Sequence, residues 1–257
     1  MSTTGPTRSA LSMAMLHSRY QFLETVRVPI AVVGTTLFPV LALLFFVVPQ
    51  PAVADDPLAA TGATAQLGLF AVISVCLFTF GAGVAEDRST PWAPYLRTLP
   101  TGPGPRIAGR LITGLAFALL GLVPVVVLAA LTTAATLSPE RLLMGAACMA
   151  ASALPFLGIG LTMGYLLPVK AAVPVAQVVL FPMAFAGGLF LPPELFPSWL
   201  DTVSRVLPSR AGRDLVVGVV TGDAVSVGAI VVLCCWAVGT LVLAGWAYQR
   251  DEGRRFR

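Results

Sequence analysis

The side chains that most often carry enzymatic chemistry are scarce in this chain of 257 residues. Its one histidine is His17 and its one lysine is Lys170. A phosphate-binding P-loop needs a Gly-Lys-Ser/Thr sequence, whereas Lys170 lies between Val169 and Ala171. A Ser–His or Cys–His nucleophile needs an imidazole beside it, and His17 precedes the first apolar run. We therefore expect no catalytic residue and no ATP hydrolysis within this chain.

Metal and cofactor sites are not indicated either. A zinc site takes three or four ligands of the Cys, His or carboxylate type, and the sequence contains no such cluster. All four cysteines lie inside apolar runs, at Cys76, Cys148, Cys234 and Cys235. Free cysteine behaves as a small buried hydrophobe. We expect packing residues at all four positions, and no cofactor.

The apolar runs also bear on how transport could be driven. Proton relays inside membranes use Asp, Glu, Lys, Arg or His, and the cores of these runs contain none of them. Sodium sites made of carbonyls and hydroxyls remain open, since the runs contain Thr35, Thr36, Ser74, Thr79, Thr113, Ser152 and Thr162. A driving force supplied by another polypeptide is the favoured interpretation.

The runs themselves predict the fold. Hydrophobic residues make up 57% of the chain and charged residues 11%, whereas soluble proteins carry about 25% charged residues. Six uncharged runs of at least 23 residues occur, and about 20 apolar residues cross a bilayer as a helix. The sequence predicts an all-α integral membrane protein with six transmembrane helices in a single domain over 28–247. The spans cover about 28–48, 64–85, 111–135, 142–167, 171–191 and 224–247.

Charge asymmetry predicts the orientation. With the N-terminus inside, the inner segments hold 12 of the 16 basic residues and only five of the 12 acidic ones. Positive residues favour the cytoplasmic side, so both termini are expected inside, in a multi-pass protein of the plasma membrane. The net charge of +4 is too small and dispersed for a nucleic-acid partner.

The two ends of the chain differ in character. Residues 1–27 form a cytoplasmic tail in which 11–26 show helical apolar spacing, typical of a helix lying in the membrane interface; a disordered leader is the alternative. Ala52-Val53-Ala54 resembles a signal-peptidase site, but the preceding apolar stretch is longer than the 7–15 residues usual before cleavage, so we expect a retained span. Residues 248–257 form a basic cytoplasmic tail.

Two connections between spans are long. The inner one, 86–110, mixes aromatic and leucine residues with arginines; Trp92 and Tyr95 would also suit a loop anchored on the bilayer. The outer one, 192–223, is too apolar for water. Broken helices that dip back into the membrane would hide its apolar residues, and Pro192, Pro193, Pro197 and Pro208 supply the breaks. Its charged residues, Arg205, Arg210, Arg213 and Asp214, are expected to form local ion pairs rather than a substrate site.

Three features resemble the ABC-2 type permeases, the membrane subunits of type V ABC exporters. Glu86-Asp87-Arg88-Ser89-Thr90, followed by Leu96-Arg97-Thr98-Leu99-Pro100, is similar to the family's acidic–Arg–Gly-Thr…Leu…Leu…Pro pattern. Gly187-Gly188-Leu189-Phe190-Leu191-Pro192, then Phe196 to Leu200 and Leu207-Pro208, resemble the end of span five and the re-entrant helices before span six. The third feature is the six-span plan with its interfacial helix. Ser89 departs from the family's glycine, and Pro91 follows it.

The resemblance implies an exporter of a hydrophobic or amphipathic substrate, drug-, antibiotic- or lipid-like, driven by a separate ABC ATP-binding subunit. It also implies a second permease subunit, identical or paralogous, within membrane lipid. The residues implied in ATPase coupling are Glu86, Arg88, Trp92, Tyr95, Leu96, Arg97, Leu99 and Pro100. Those implied in an extracellular re-entrant gate are Gly187, Gly188, Phe190, Pro192, Phe196, Trp199 and Pro208. The alternatives are a stand-alone secondary transporter or channel, and a membrane scaffold without transport.

Overall fold

The chain is mainly helical, without strands, over the residues that the structure, a computed structural model, describes. The described residues are Met15, Arg19, Tyr20, Leu23, 37–91 and 103–254, without the side chains of 103–106 and 252–254. Within them, five helices are long and apolar enough to cross a membrane, which confirms an all-helical multi-pass membrane protein. The predicted first span is represented by the shorter apolar helix Leu37–Val47; its residues 28–36 lie outside the described part, as do most residues of the predicted interfacial helix.

The helices are numbered along the chain. They are α1 (Leu37–Val47), α2 (Pro57–Ser89), α3 (Pro103–Leu120), α4 (Leu122–Thr132), α5 (Pro139–Leu166), α6 (Val169–Ala186), α7 (Ser198–Ser204), α8 (Pro208–Thr221) and α9 (Val227–Arg254). The helices α3 and α4 are separated only by Gly121 and together supply the apolar stretch Ile107–Thr132. A single helical turn, Pro51–Ala54, and a 3₁₀ turn, Pro193–Leu195, complete the description.

Helix starts follow from capping residues visible in the sequence. The Asp56 carboxylate accepts from the Ala59 backbone N–H at 2.7 Å, and Pro57 is the first residue of α2. The Ser138 hydroxyl accepts from the Arg141 N–H at 3.3 Å, and Pro139 begins α5. A side-chain acceptor satisfies a free N–H of the first turn, and proline has none to satisfy. Both helices therefore begin where an Asp-Pro or Ser-Pro pair occurs.

Helix α2 lies at the centre of the bundle. In its most apolar 18-residue window, 78% of the residues are buried, against 22% in the corresponding windows of α6 and α9. It packs against α4, α5 and α8, and its π-helical stretch Phe78–Ala82 contacts α6. Whatever moves α2 must therefore move or repack most of its neighbours.

Glycines let α5 approach α2 and α9 at backbone distance. A Cβ on Gly160 would collide with the Cys76 carbonyl of α2, and one on Gly164 would lie 2.7 Å from the Val84 Cβ. On the other side, a Cβ on Gly158 would collide with Thr240 of α9. Small residues four apart are a common device of helix contacts in membranes. These three glycines fix α5 between α2 and α9.

The cysteines divide into buried and exposed ones. Cys76 is buried between α2 and α5, with its Sγ 3.8 Å from the Ala153 carbonyl oxygen. Cys148 is half-buried, whereas Cys234 and Cys235 are exposed on α9. The expectation of a buried pair at Cys234 and Cys235 is wrong. In a membrane, an apolar residue is equally suited to lipid and to protein, so apolar context does not predict burial.

Candidate functional site

The helix α2 ends where the predicted coupling loop begins. Ser89 is its last residue, and Thr90 takes an extended conformation (φ −69°, ψ 147°) before Pro91. A residue before proline is pushed out of the helical region, which explains the stop. The Ser89 hydroxyl donates to the Glu86 carbonyl and the Thr90 hydroxyl to the Asp87 carbonyl, each at 2.7 Å. These bonds satisfy carbonyls that the helix end leaves open.

Arg88, in the last turn of α2, contacts two other spans. Its Nη1 donates to the Gly164 carbonyl at 2.6 Å and to the Leu167 carbonyl at 3.3 Å, both at the C-terminal end of α5. Its Nη2 donates to Asp251 of α9 at 2.5 Å. A helix C-terminus carries partial negative charge, so the Arg88 guanidinium binds both the Asp251 carboxylate and the C-terminal end of α5. Side-chain exposures of 17% for Arg88 and 8% for Asp251 place the pair largely out of solvent.

Two further contacts complete this region. Asp87 pairs with Arg110 of α3 at 3.1 Å, and the rings of Tyr165 and Tyr248 meet edge to face with centroids 5.1 Å apart. We call Asp87, Arg88, Arg110, Tyr165, Tyr248 and Asp251 the inner cluster. It joins α2, α3, α5 and α9 at the end of the bundle where the predicted coupling loop starts.

The predicted coupling residues meet different outcomes. Glu86 is exposed, and the Arg88 guanidinium is hydrogen-bonded within the chain rather than directed outward. Trp92, Tyr95, Leu96, Arg97, Leu99 and Pro100 lie outside the described residues, so their role stays a prediction. Sequence reasoning missed Asp251 as the partner of Arg88. The available signal was an acidic residue directly after the last span, in a tail expected to be basic.

At the opposite end, Gly187 and Gly188 close α6. Gly188 has φ +76°, and the Leu189 N–H donates to the Ala184 carbonyl at 3.0 Å. This is the Schellman motif, in which the N–H that follows a left-handed glycine donates to the carbonyl five residues earlier. A Cβ on Gly187 would lie 2.5 Å from the Ser209 Cβ. The end of α6 therefore touches the start of α8, where Pro208 is buried as the first helical residue.

Five phenylalanines form an aromatic cluster beside this contact. Phe190 lies 4.9 Å from Phe70 and 5.1 Å from Phe185, measured between ring centroids. Phe38 lies 5.4 Å from Phe70 and 6.1 Å from Phe181. The rings join α1, α2 and α6, at separations typical of favourable aromatic pairs. Sequence reasoning identified Phe190 alone, because nothing in the spacing of the others along the chain indicates that they meet.

The remaining predicted gate residues lie nearer the surface. Pro192 is exposed and precedes the 3₁₀ turn Pro193–Leu195, while Phe196 is half-buried. Trp199 of α7 is 67% exposed. The structure thus brings Gly187 against Ser209, which follows the buried Pro208, and brings Phe190 into the aromatic cluster, whereas Pro192 and Trp199 are exposed.

The charged residues of this segment pair with one another, as predicted. Asp201 accepts from Arg205 at 2.6 Å and from Arg210 at 3.4 Å, and Asp214 accepts from Arg210 at 2.7 Å and from Arg213 at 3.0 Å. We call these five residues the outer cluster. The hydrogen bond from Arg205, followed by the charges of Arg205 and Arg210, lowers the pKa of Asp201.

Two side-chain hydrogen bonds tie the outer cluster and the neighbouring Val206 to the spans. The amide oxygen of Gln66 in α2, turned toward Arg213, accepts from its Nη2 at 3.0 Å. The Trp236 indole of α9 donates to the Val206 carbonyl at 2.8 Å. Over the described part of the chain, no group of three or more His, Cys, Asp or Glu is arranged to hold a metal ion.

Comparison with known proteins gives two findings. The family model described as ABC-2 type transporter matches residues 15–220. "Putative transport permease YvfS" of Bacillus subtilis (strain 168) is 25% identical over 144 residues, which are 56% of this chain and 59% of that protein. The chain thus aligns with less than two thirds of this curated relative's length. The family match includes Asp87, Arg88 and Arg110, and the outer segment up to Val220.

Proposed function

Because the chain belongs to the ABC-2 type transporter family, we propose that it is the membrane subunit of an ATP-driven exporter whose ATPase is a separate polypeptide. The family match over 15–220 carries this proposal. In it, two permease subunits, identical or paralogous, lie in the plasma membrane with both termini in the cytoplasm, and the chain performs no catalysis. The substrate is hydrophobic or amphipathic and moves outward.

The inner cluster supports a role in coupling. The loop that would meet the ATPase leaves α2 at Ser89 and re-enters the bundle in α3. Its start is held to α5 and α9 by Arg88, and its two flanks are held together by Asp87 and Arg110. A displacement of the loop would act on four helices together rather than on α2 alone. In this scheme Arg88 is a positioning residue. The loop inserts aromatic and apolar side chains into a pocket of the ATPase, as anchors in interfaces do: Trp92, Tyr95, Leu96 and Leu99.

The segment 192–223 would form the gate on the far side. The α6–α8 contact at Gly187 and Ser209 holds this segment against α6, and Phe190, just before the segment, contacts Phe38 of α1 and Phe70 of α2. Opening it for an amphipathic substrate would separate contacts between helices rather than break a covalent or ionic lock. The outer cluster would move as one piece, since its ion pairs lie within the segment.

The decisive experiment is reconstitution with and without an ABC ATP-binding subunit that co-purifies with this chain. We expect vanadate-sensitive ATP hydrolysis and outward substrate movement only with both proteins present. Leu96→Asp should abolish coupled transport, because a carboxylate cannot enter an apolar pocket without a large desolvation cost. Thr98→Asp in the same loop is the matched control and should retain most of the activity.

Two outcomes would overturn the proposal. Uphill transport by this chain alone, driven by an ion gradient, would establish a secondary transporter. A stable complex without substrate flux in either condition, tested over hydrophobic and amphipathic compounds, would establish a scaffold. The Leu96→Asp protein is extracted from the membrane fraction and run on gel filtration in detergent. A single peak at the position of the unmodified protein separates lost coupling from lost folding.

A further inference from the structure

A cavity of about 270 Å³ lies between α2, α4, α5 and α8, on the side of the bundle that carries the α4–α5 connection. Its inner wall contains the buried residues Ala65, Met149 and Val216. At its rim, Val126 is 41% exposed and Leu142 is 49% exposed. The cavity therefore opens on the outer face of the helices, which in a membrane is covered by lipid chains rather than by water.

The two threonine hydroxyls that α2 contributes to the cavity wall already have hydrogen-bond partners. The Thr61 hydroxyl donates to the Pro57 carbonyl at 2.7 Å and accepts from the Thr136 N–H at 3.2 Å. The Thr64 hydroxyl donates to the Ala60 carbonyl at 2.7 Å. A polar ligand would lose its hydration here and gain no partner, which is unfavourable. The wall suits an alkyl chain, which binds through van der Waals contacts and needs no hydrogen-bond partner.

One cation stands at the mouth of this cavity. An adjoining recess is lined by Thr136, Leu137, Ser138 and Arg141, and its first two residues also line the cavity. The exposed Arg141 donates from Nη1 to the Thr221 carbonyl at 3.3 Å. Among the described residues no carboxylate lies within ion-pair distance of its guanidinium. Asp223, nearby in sequence to that carbonyl, accepts from the Thr221 hydroxyl at 2.6 Å instead.

We propose that this cavity holds an acyl chain of an anionic phospholipid, with the lipid phosphate at Arg141. The apolar cavity and the adjoining cation match the two parts of such a lipid, since guanidinium groups bind phosphate oxygens through paired hydrogen bonds. The lipid comes from the leaflet on the α8 side, the outer leaflet in the orientation proposed above. Its chain fills the space between α8 and α2 and so supports the outer segment. The site does not depend on the ATPase partnership.

The test uses the full chain in phosphatidylcholine vesicles that contain a minor fraction of phosphatidylglycerol with a photoactivatable group on one chain. After illumination, mass spectrometry locates the labelled peptides. We expect labelling concentrated in the first half of α2, in α4, in the first half of α5 and in α8. The same probe with a phosphatidylcholine headgroup should label this site about fivefold less, because one arginine near the membrane surface contributes about that much preference for an anionic lipid.

Two pairs of variants separate the cavity from the general lipid surface. Ala146 lines the cavity, whereas Ala147 beside it is exposed and does not. Ala146→Phe should remove most of the labelling in α4 and α8, and Ala147→Phe should leave it unchanged. Arg141→Gln should abolish the headgroup preference while keeping chain labelling, and Arg205→Gln, at a cation 71% exposed on the same end, should not alter the preference.

Four results would overturn the proposal, and the first three concern labelling. They are equal labelling of the Ala146→Phe and Ala147→Phe proteins, labelling spread evenly over the exposed face of α9, and equal labelling by the two headgroups. Displacement of the probe by a transported compound would also overturn it, by assigning the cavity to cargo. If the Ala146→Phe protein fails to fold, the headgroup comparison in the Arg141→Gln protein still tests the proposal, because Arg141 lies at the exposed mouth of the cavity.

Discussion

The inner and outer clusters contain the same kinds of ion pair but connect the chain in different ways. In the inner cluster, Arg88 and Asp251 are 163 residues apart, and Asp87 and Arg110 are 23 apart. In the outer cluster, Arg205 and Asp201 are four residues apart, and Arg213 and Asp214 are adjacent. The inner pairs therefore join different spans, and the outer pairs shape one connecting segment.

Burial separates two of the pairs rather than the whole clusters. Arg88 and Asp251 are 17% and 8% exposed, whereas Arg205 is 71% exposed. Arg210 of the outer cluster is as buried as Arg88, at 15%, and Asp87 of the inner cluster is 57% exposed. Breaking a buried pair by removing one partner is costly, because the other charge is left behind; an exposed pair contributes little. The end expected to meet the ATPase is therefore joined across spans by a largely buried pair, whereas the far segment is held to the spans by packing and three side-chain hydrogen bonds.

The largest expected effect comes from Arg88→Leu. It removes the donor to two α5 carbonyls and leaves Asp251 without this partner, so we expect a loss of about 3 kcal/mol. For a chain of this size, that corresponds to about 6–12 °C in the thermal midpoint. The measurement is thermal unfolding of the purified protein in detergent, followed by tryptophan fluorescence.

Two companion variants sharpen this result. Asp251→Asn keeps an acceptor near Arg88 and should cost less than Arg88→Leu. Arg205→Leu removes an arginine from the exposed pair and should leave the midpoint unchanged. Equal losses for Arg88→Leu and Arg205→Leu would refute the distinction between the two clusters.

A smaller effect is expected at Gly164, whose carbonyl accepts from Arg88. A Cβ there would lie 2.7 Å from the Val84 Cβ and 2.8 Å from the Gly81 carbonyl oxygen. Gly164→Ala should therefore force α5 away from α2 and cost about 1–3 kcal/mol, the usual range for overpacking. Gly239→Ala is the matched control, because nothing lies within 4 Å of its Cβ position; helix propensity alone would make it neutral or slightly stabilising. An unchanged stability of the Gly164→Ala protein would show that α5 can move away from α2 at little cost.

Much of the fold is predictable from the sequence, for physical reasons visible in single residues. The length of an apolar run predicts a span, and Asp56-Pro57 and Ser138-Pro139 mark helix starts. Gly187-Gly188 marks the end of α6, because only glycine readily adopts the left-handed conformation found there. Local ion pairing in the outer segment was predictable, since Arg205 and Arg210 lie one helical turn from Asp201 and Asp214.

The contacts between spans were not predictable in this way. Hydrophobicity does not separate a lipid-facing residue from a buried one, which is why Cys234 and Cys235 were misassigned. The pairing of Arg88 with Asp251 and the meeting of Phe38 with Phe70 depend on which helices are neighbours. A single sequence contains no signal for that, because in lipid the packing of small residues and shape, rather than hydrophobicity, selects partners.

The outer cluster offers a graded comparison of its own. Arg210, 15% exposed, donates to Asp214, Asp201 and Ser204, whereas Arg205 bonds Asp201 alone. Arg210→Gln should loosen α7 and the start of α8, and Arg205→Gln should do so much less. Hydrogen exchange of peptides within 198–221 measures this directly. Faster exchange at the inner end of α5 in either variant would contradict the local character of the cluster.

The smallest expected effect is a dependence on pH confined to the outer segment. Because the pKa of Asp201 is lowered in the folded protein, its contribution to stability is present above the ordinary Asp pKa of about 3.9 and is lost as the pH falls through the lowered value. Exchange of peptides covering α7, corrected for intrinsic rates with the Asp201→Asn protein, should therefore be constant from about pH 8 to 5 and rise only below about pH 4. A step between about pH 5 and 7, where histidine titrates, would assign the dependence to another group. Persistence of the acid step in Asp201→Asn would show that Asp201 is not its source.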